Sequence, residues 1–462
     1  MSIFTKPSLG LLVLSSVLAS ACSSTTTHPT PQPNIRALQP DSGGTTSDIS
    51  ELYRSIGLLA APSPLSFVGK ISSFASAHPD TTLVLVSISV PNRALTFTRE
   101  GDRYRAPYEV KITMSRGDVD VASINAMEIV RVGSFREINR TDESVIFQHY
   151  FRVAPGTYGL STVVRDVGGS RAAAQRATIG VPSLTTGRFS TPLLVYEALG
   201  RTVLDSAPRL LASPRSSAVF GRDSIVAIYV EAYGQGTRLP VDFVVRNDKG
   251  ARLWRDSVTL GRKGNLFNGI VNVPISTVGV GIAEVFFTRR DSPDSAKAPL
   301  FVSFGEDIPL MSFEDMLGYL RFFANNSRLA ALRTAPLERR ATVWAEFLRA
   351  TDPIPETATN EEMQTYFTRI QLANIQFRMD RNPGWLSDRG MVFVSLGEPD
   401  QILERSLNVA CWTAQVASNT RIQIWQYRRY NSQLIFCEET GRWRLTRPSE
   451  SEFLSLNSRR QH

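Results

Sequence analysis

FRVAPGTYGLSTVVRD, residues 151–166, decides how the first half of this chain folds. Phe151 and Val153 alternate with polar neighbours, Pro155-Gly156 supplies a turn, and Tyr158 opens a second alternating run through Leu160, Thr162 and Val164, which reads as strand, turn, strand. Outward from it the same period of two recurs in TTLVLVSISV (81–90), NRALTFTREGDRY (92–104), APYEVKITMS (106–115), ESVIFQHYFRV (143–153) and RATIGVP (176–182). Strand after strand with no helical interlude predicts an antiparallel sandwich over residues 51–183. A short helical pattern on Leu52, Ile56, Leu58 and Leu59, ending before Pro62, precedes it.

The turn around Tyr158 resembles that of immunoglobulin-like modules. A second all-β stretch, residues 184–308, holds SIVAIYVEAYG (224–234), LPVDFVVRND (239–248), ARLWRDSVTL (251–260), LFNGIVNVPI (266–275) and GIAEVFFTRRD (281–291). Each half ends in a strand pair leading into Arg-Asp, Arg165-Asp166 and Arg290-Asp291, a hint of duplication. From 309 the texture turns helical: Ser312 with Asp315 makes an N-cap, Pro336 opens a first turn, and Thr359 with Glu362 makes a capping box. On the last of these helices Met363, Tyr366, Phe367, Ile370, Asn374 and Phe377 share a face, and Asn374 reads as a satisfied buried amide before it reads as a site residue. GMVFVSLG (390–397), TRIQIWQYRR (420–429), SQLIFCEE (432–439) and RWRLTR (442–447) then read as strands. The expected fold class is mainly β and multidomain: two immunoglobulin-like antiparallel β-sandwich modules, then an α+β domain at 309–450 and a tail at 451–462.

The N-terminus speaks of location. Lys6, the apolar run Leu9, Leu11, Leu12, Val13, Leu14, Val17, Leu18 and the small residues Ala19, Ser20, Ala21 form a secretory signal over residues 1–21, too short to span a bilayer. With Cys22 behind it the stretch resembles a bacterial lipobox, with Ala19 where the commonest version has Leu. That resemblance implies acylation of Cys22, a membrane partner through the lipid anchor, and, with Ser23 following, an outer-membrane address facing the periplasm. Residues 22–50 are rich in Ser, Thr, Pro and Gly and form a tether. The formal charge is +8, but the basic residues are scattered as pairs such as Arg339-Arg340 among acidic ones, which argues against a nucleic-acid partner. If Cys22 carries lipid, Cys411 and Cys437 remain, and in an oxidising compartment they are expected to form a disulfide.

NPGWLSDRGMVFVSLGEPD, residues 382–400, is similar to the GWxTD domain of bacterial envelope proteins. Gly384, Trp385, Ser387, Asp388, Arg389 and Gly390 match the first block, with Ser387 in place of Thr, and Gly397, Glu398, Pro399 and Asp400 match the second. The resemblance covers residues 310–447 and implies no established reaction. With 391–396 read as a strand, Asp388 lies roughly 20 Å from Glu398, too far for a glycosidase-type carboxylate pair. Glu398 and Asp400 stay close together, either as an acid and base at a strand end or as turn residues bonding local amides or Arg389, the second reading being preferred.

Other chemistries find few residues. His28, His78, His149 and His462 are isolated, so no metal or cofactor is expected, and no G-x-S-x-G elbow occurs. The G-V-G of residues 279–281 lacks a following helix and makes no phosphate loop. Trp344, Trp385, Trp412, Trp425 and Trp443 cluster late in the chain; they read as core, with an exposed row for stacking on sugars or a partner as the alternative. The function expected is a lipid-anchored envelope module that binds or scaffolds protein or glycan partners. A hydrolase using Glu398 and Asp400, with or without a divalent cation, is the competing class.

Overall fold

The computed structural model describes residues 49–461 except 63, 140–143, 221, 304–311, 357–359, 378–382, 410–416 and 440. Cys22, nearly all of the tether, Thr359, Cys411, Trp412, His28 and His462 therefore lie outside the described residues.

The chain enters through α1 (Ile49–Ser55), β1 (Leu59–Ala61), β2 (Phe67–Ala75), β3 (Thr82–Pro91), β4 (Thr98–Glu100) and β5 (Arg103–Arg116). It continues through β6 (Val119–Val132), the five-residue α2 (Phe135–Asn139), β7 (Ser144–Val153), β8 (Gly156–Asp166) and β9 (Ala172–Val181). Strands β1, β2, β3 and β7 pair in that order in one sheet; β4, β5, β8 and β9 form the other, with β6 also on β5. Val84, Val86 and Ile88 of β3 meet Val110, Ile112 and Met114 of β5 and Leu160 and Val164 of β8 in one core. Each such buried side chain contributes about 1.5–3 kcal/mol. The turn quoted first is a corner between the sheets: Gly156 takes φ 149°, and the Tyr158 hydroxyl donates to the Ala154 carbonyl at 2.7 Å. Arg116 donates to that hydroxyl at 2.7 Å. A tyrosine tied back to the chain upstream is a hallmark of immunoglobulin-like sandwiches.

Three local expectations are corrected. Leu59 belongs to β1, because the helix stops at Ser55 and Gly57 turns the chain with φ 84°. A helix, α2, does interrupt the strands. β6, a 14-residue strand, went unread because apolar residues occupy both of its faces, Val119, Val121, Met127 and Ile129 outward and Ala122, Ile124 and Ala126 against the core, which erases a period of two.

The second sandwich is built from β10 (Leu193–Gly200), β11 (Arg209–Ala212), β12 (Ser217–Val219), β13 (Ile225–Ala232), β14 (Arg238–Asn247) and β15 (Arg252–Lys263). It is completed by β16 (Leu266–Pro274), the one-turn α3 (Ile275–Val278), β17 (Gly281–Arg289) and β18 (Ser292–Ser303). The nine strands run β11-β10-β13-β16-β15-β14-β17-β18-β12. β15 pairs with β14 along most of its length and with β16 only at Arg262 and Lys263, so one long strand passes between the two layers.

β3 is buried at every position because its second face is also covered. Phe74, Leu83 and Leu85 pack on Leu193, Val195 and Tyr229 of the second sandwich. Beside them Arg201 donates to Glu231 at 2.9 and 2.8 Å and to the Ala75 carbonyl at 2.7 Å. The Tyr229 and Tyr233 hydroxyls donate to the same carboxylate, each at 2.8 Å, and the Ala75 amide donates to Tyr233 at 2.8 Å. A buried ion pair holds only when its remaining valences are met in this way.

The rest of the chain is α4 (Phe313–Tyr319), α5 (Asn326–Thr334), α6 (Arg340–Thr351), α7 (Glu361–Gln376), α8 (Asp388–Leu396), β19 (Gln401–Val409), β20 (Ala417–Tyr427), β21 (Ser432–Glu439), β22 (Arg442–Leu445) and α9 (Arg447–Arg460). β19 to β22 form an antiparallel meander. Ser312 caps α4 as expected, accepting from the Asp315 amide at 3.1 Å. The cap of α7 is Asn360, one residue beyond the expected Thr359, accepting from the Met363 amide at 2.9 Å. The stretch expected to be a tail completes α9, with Phe453 and Leu456 buried. One apolar cluster runs from Phe189 through Trp344 and Trp385 to Leu456 without a break between the second sandwich and the helices.

Candidate functional site

GMVFVSLG is the main correction. Residues 388–396 are the helix α8, not a strand. A run of this length that is apolar but for Ser395 reads equally as a buried strand or a buried helix, and the ends decide. Ser387 caps the start, its hydroxyl accepting from the Gly390 amide at 3.0 Å while donating to the Gly384 carbonyl at 2.7 Å. Gly397 closes the end with φ 89°, its amide donating to the Phe393 carbonyl at 2.9 Å. The substitution of Ser for Thr at 387 keeps the capping hydroxyl.

Each remaining residue of the first block holds α8 to a neighbour. Asp388 accepts from the Leu445 amide at 2.7 Å, tying the first turn to the end of β22, and its charge suits a helix N-terminus. A Cβ on Gly390 would overlap the Gly384 carbonyl, so only glycine lets the helix sit on the turn before it. Trp385 is buried and stacks on Tyr319 with ring centres 4.8 Å apart; Arg321 covers it at 4.7 Å. The Asn374 side chain accepts from the Trp385 amide at 3.2 Å, which makes it a structural amide. Arg389 lies 5.2 Å from the rings of both Phe377 and Trp443 and reaches Gln423 at 3.4 Å. Burial lowers its pKa, against the attraction of Glu404 and Glu438.

The second block is a joint as well. The Gly397 carbonyl accepts from Tyr427 at 3.0 Å, and burial pushes that phenol well up from its usual range. Asp400 accepts from the Arg428 amide at 2.7 Å, and its own amide extends the ladder to Gln426. Glu398 is exposed. The helix between Asp388 and Leu396 rises about 13 Å, which keeps Asp388 apart from Glu398 and Asp400 whichever element joins them. Arg369, which the sequence did not single out, packs its guanidinium 3.0–3.5 Å from where a Cβ on Gly397 would sit.

Among the described residues no group of three or more His, Cys, Asp or Glu side chains is placed to hold a metal. His149 packs edge-on against Phe151, and burial lowers its pKa. Trp344, Trp385, Trp425 and Trp443 are buried, so the described tryptophans form no exposed stacking row. Cys437 is buried on β21, and its expected partner Cys411 lies outside the described residues.

Residues 284–454 match the GWxTD domain. No curated protein matches the sequence. Similar solved structures include the BSP domain of a biofilm-associated protein, at 8% identity over 58% of this chain and 54% of that one, with TM-score 0.16. Another is a calcium-binding mutant of Bacteroides uniformis beta-glucuronidase 2, at 8% identity over 49% and 28%, with TM-score 0.17. A third is the calcium binding domain CBD12 of CALX1.1, at 11% identity over 56% and 86%, with TM-score 0.13. The chain spans about half the length of the first of these.

Proposed function

Residues 284–454 are a GWxTD domain, and on that premise we propose that the chain is a lipid-anchored protein of the cell envelope. In this reading Cys22 carries the lipid, the mature protein faces the periplasm from the outer membrane, Cys411 and Cys437 are bonded, and the folded body binds or scaffolds a protein or glycan partner. The observation that carries the scaffold role is the use of the motif itself. Ser387, Asp388 and Asp400 bond backbone amides, and Arg389 lies among rings, so these side chains hold one helix between a turn and a sheet.

The test uses the native lipoprotein in its own envelope. An alkyne-tagged palmitate is expected to label the wild type and to leave Cys22→Ala unlabelled, and non-reducing peptide mapping of the same preparation is expected to recover Cys411 joined to Cys437. A product that keeps an unmodified Met1 in the soluble fraction would sink the anchor and the address together. Glu398→Gln is expected to leave fold, partner capture and envelope phenotype intact; a lost phenotype on an unchanged fold would move the reading to carboxylate chemistry.

A further inference from the structure

We propose that the outer face of the second sheet of the first sandwich is a binding trough for an anionic oligosaccharide, an inference that rests on the envelope-binding reading above. The strand registers place its residues in rows. Ser115 of β5 lies opposite Asp120 of β6 and Gly159 of β8, and Gly159 lies opposite Thr178 of β9. In the next row Ser123, Thr113, Ser161 and Arg176 stand side by side, and in the third Asn125, Lys111, Val163 and Ala174. The lining thus mixes Gly159 and short hydroxyl side chains with Leu160, Val163 and Ala177, and it carries the charges of Lys111, Arg176 and Asp120. The result is an open trough of about 580 Å³, in the size range of small-ligand sites. In the row beyond, Glu109 stands opposite Arg165 and pairs with it.

The chemistry of the lining selects the ligand class. Ser115 reaches only the Gly159 carbonyl, at 3.4 Å, and the hydroxyls of Thr113, Ser161 and Thr178 make no side-chain hydrogen bond among the described residues, so they are available to a ligand rich in hydroxyl groups. No aromatic ring lies in the lining, so a nucleic-acid base finds nothing to stack on. Lys111 and Arg176 outnumber Asp120 in the lining, which favours an anion. Four strands about 4.8 Å apart give a crossing of roughly 14 Å, room for roughly three sugar rings laid across the sheet.

Titration calorimetry of the full chain with tetragalacturonate tests this, with maltotetraose as the neutral counterpart. Expected are salt-sensitive binding of tetragalacturonate, binding of maltotetraose at least tenfold weaker, and a loss of tenfold or more in Lys111→Glu/Arg176→Glu. Ser161→Trp, which fills the floor without changing charge, is expected to lose as much while the melting temperature of the charge-reversal variant stays at the wild-type value. No tetragalacturonate binding, equal binding of maltotetraose, or indifference to both variants would overturn the trough. A partner captured from the envelope equally by wild type and Lys111→Glu/Arg176→Glu would overturn it too, while leaving the scaffold reading in place.

Discussion

Ser387 shows how much one hydroxyl carries. It accepts from the Gly390 amide and donates to the Gly384 carbonyl, so removing it opens both the start of α8 and the turn before it. Ser387→Ala is expected to cost about 1 kcal/mol, the usual value of an N-cap, and Ser387→Thr about nothing; chemical denaturation of the three chains checks both. Gly390→Ala is a harsher change because the new methyl meets backbone, not a flexible side chain. It is expected to cost about 3 kcal/mol, as overpacking does. A Gly390→Ala chain as stable as wild type would show that the turn can yield.

At the scale of elements, legibility followed the sharpness of the pattern. β5 alternates cleanly between buried and open positions, and Pro155-Gly156 marks the turn from β7 to β8, so both were readable. α8 was not, because Met391 to Leu396 is apolar but for Ser395, which is buried too, and Val392 and Val394 favour a strand. The informative residues were the ends, Ser387 and Gly397, whose capping chemistry outweighs the run between them. β6 failed for the opposite reason, having apolar residues on both faces. At the candidate site the motif's residues were found by resemblance, but Arg369 and the Thr113–Ser161 row carry no local signature, since only pairing across strands and helices brings them into place.

For the molecule as a whole, the junction between the sandwiches makes stability depend on pH. Lys70 of β2 is buried there, donating to Ser216 at 3.4 Å, and burial pushes its ammonium down to about 8 against the pull of Glu284, which also pairs with Lys297. Below about pH 8 the lysine is charged in both folded and unfolded chains and its burial cost stands in full. Above that pH the folded chain releases a proton that the unfolded chain keeps until about 10.5, so stability rises with pH. The buried phenols of Tyr150, Tyr229 and Tyr233, held up by burial and by Glu231, reverse the trend once unfolded tyrosines ionise near 10. Urea midpoints are expected to climb between about pH 8 and pH 9.5, by on the order of 2 kcal/mol. Lys70→Met is expected to flatten that climb; an equal climb in the variant would place its origin elsewhere.

The double coverage of β3 also bears on how the protein can be divided. A fragment stopped at residue 183 would keep its own filling of Val84, Val86 and Ile88 yet turn Phe74, Leu83 and Leu85 out into water, a sticky back wall with the hydrogen-bonding edge of Ala75 stripped of Arg201 and Tyr233. The smallest piece that stays soluble therefore includes the second sandwich and, because the core of that sandwich runs on into the helices, those helices as well.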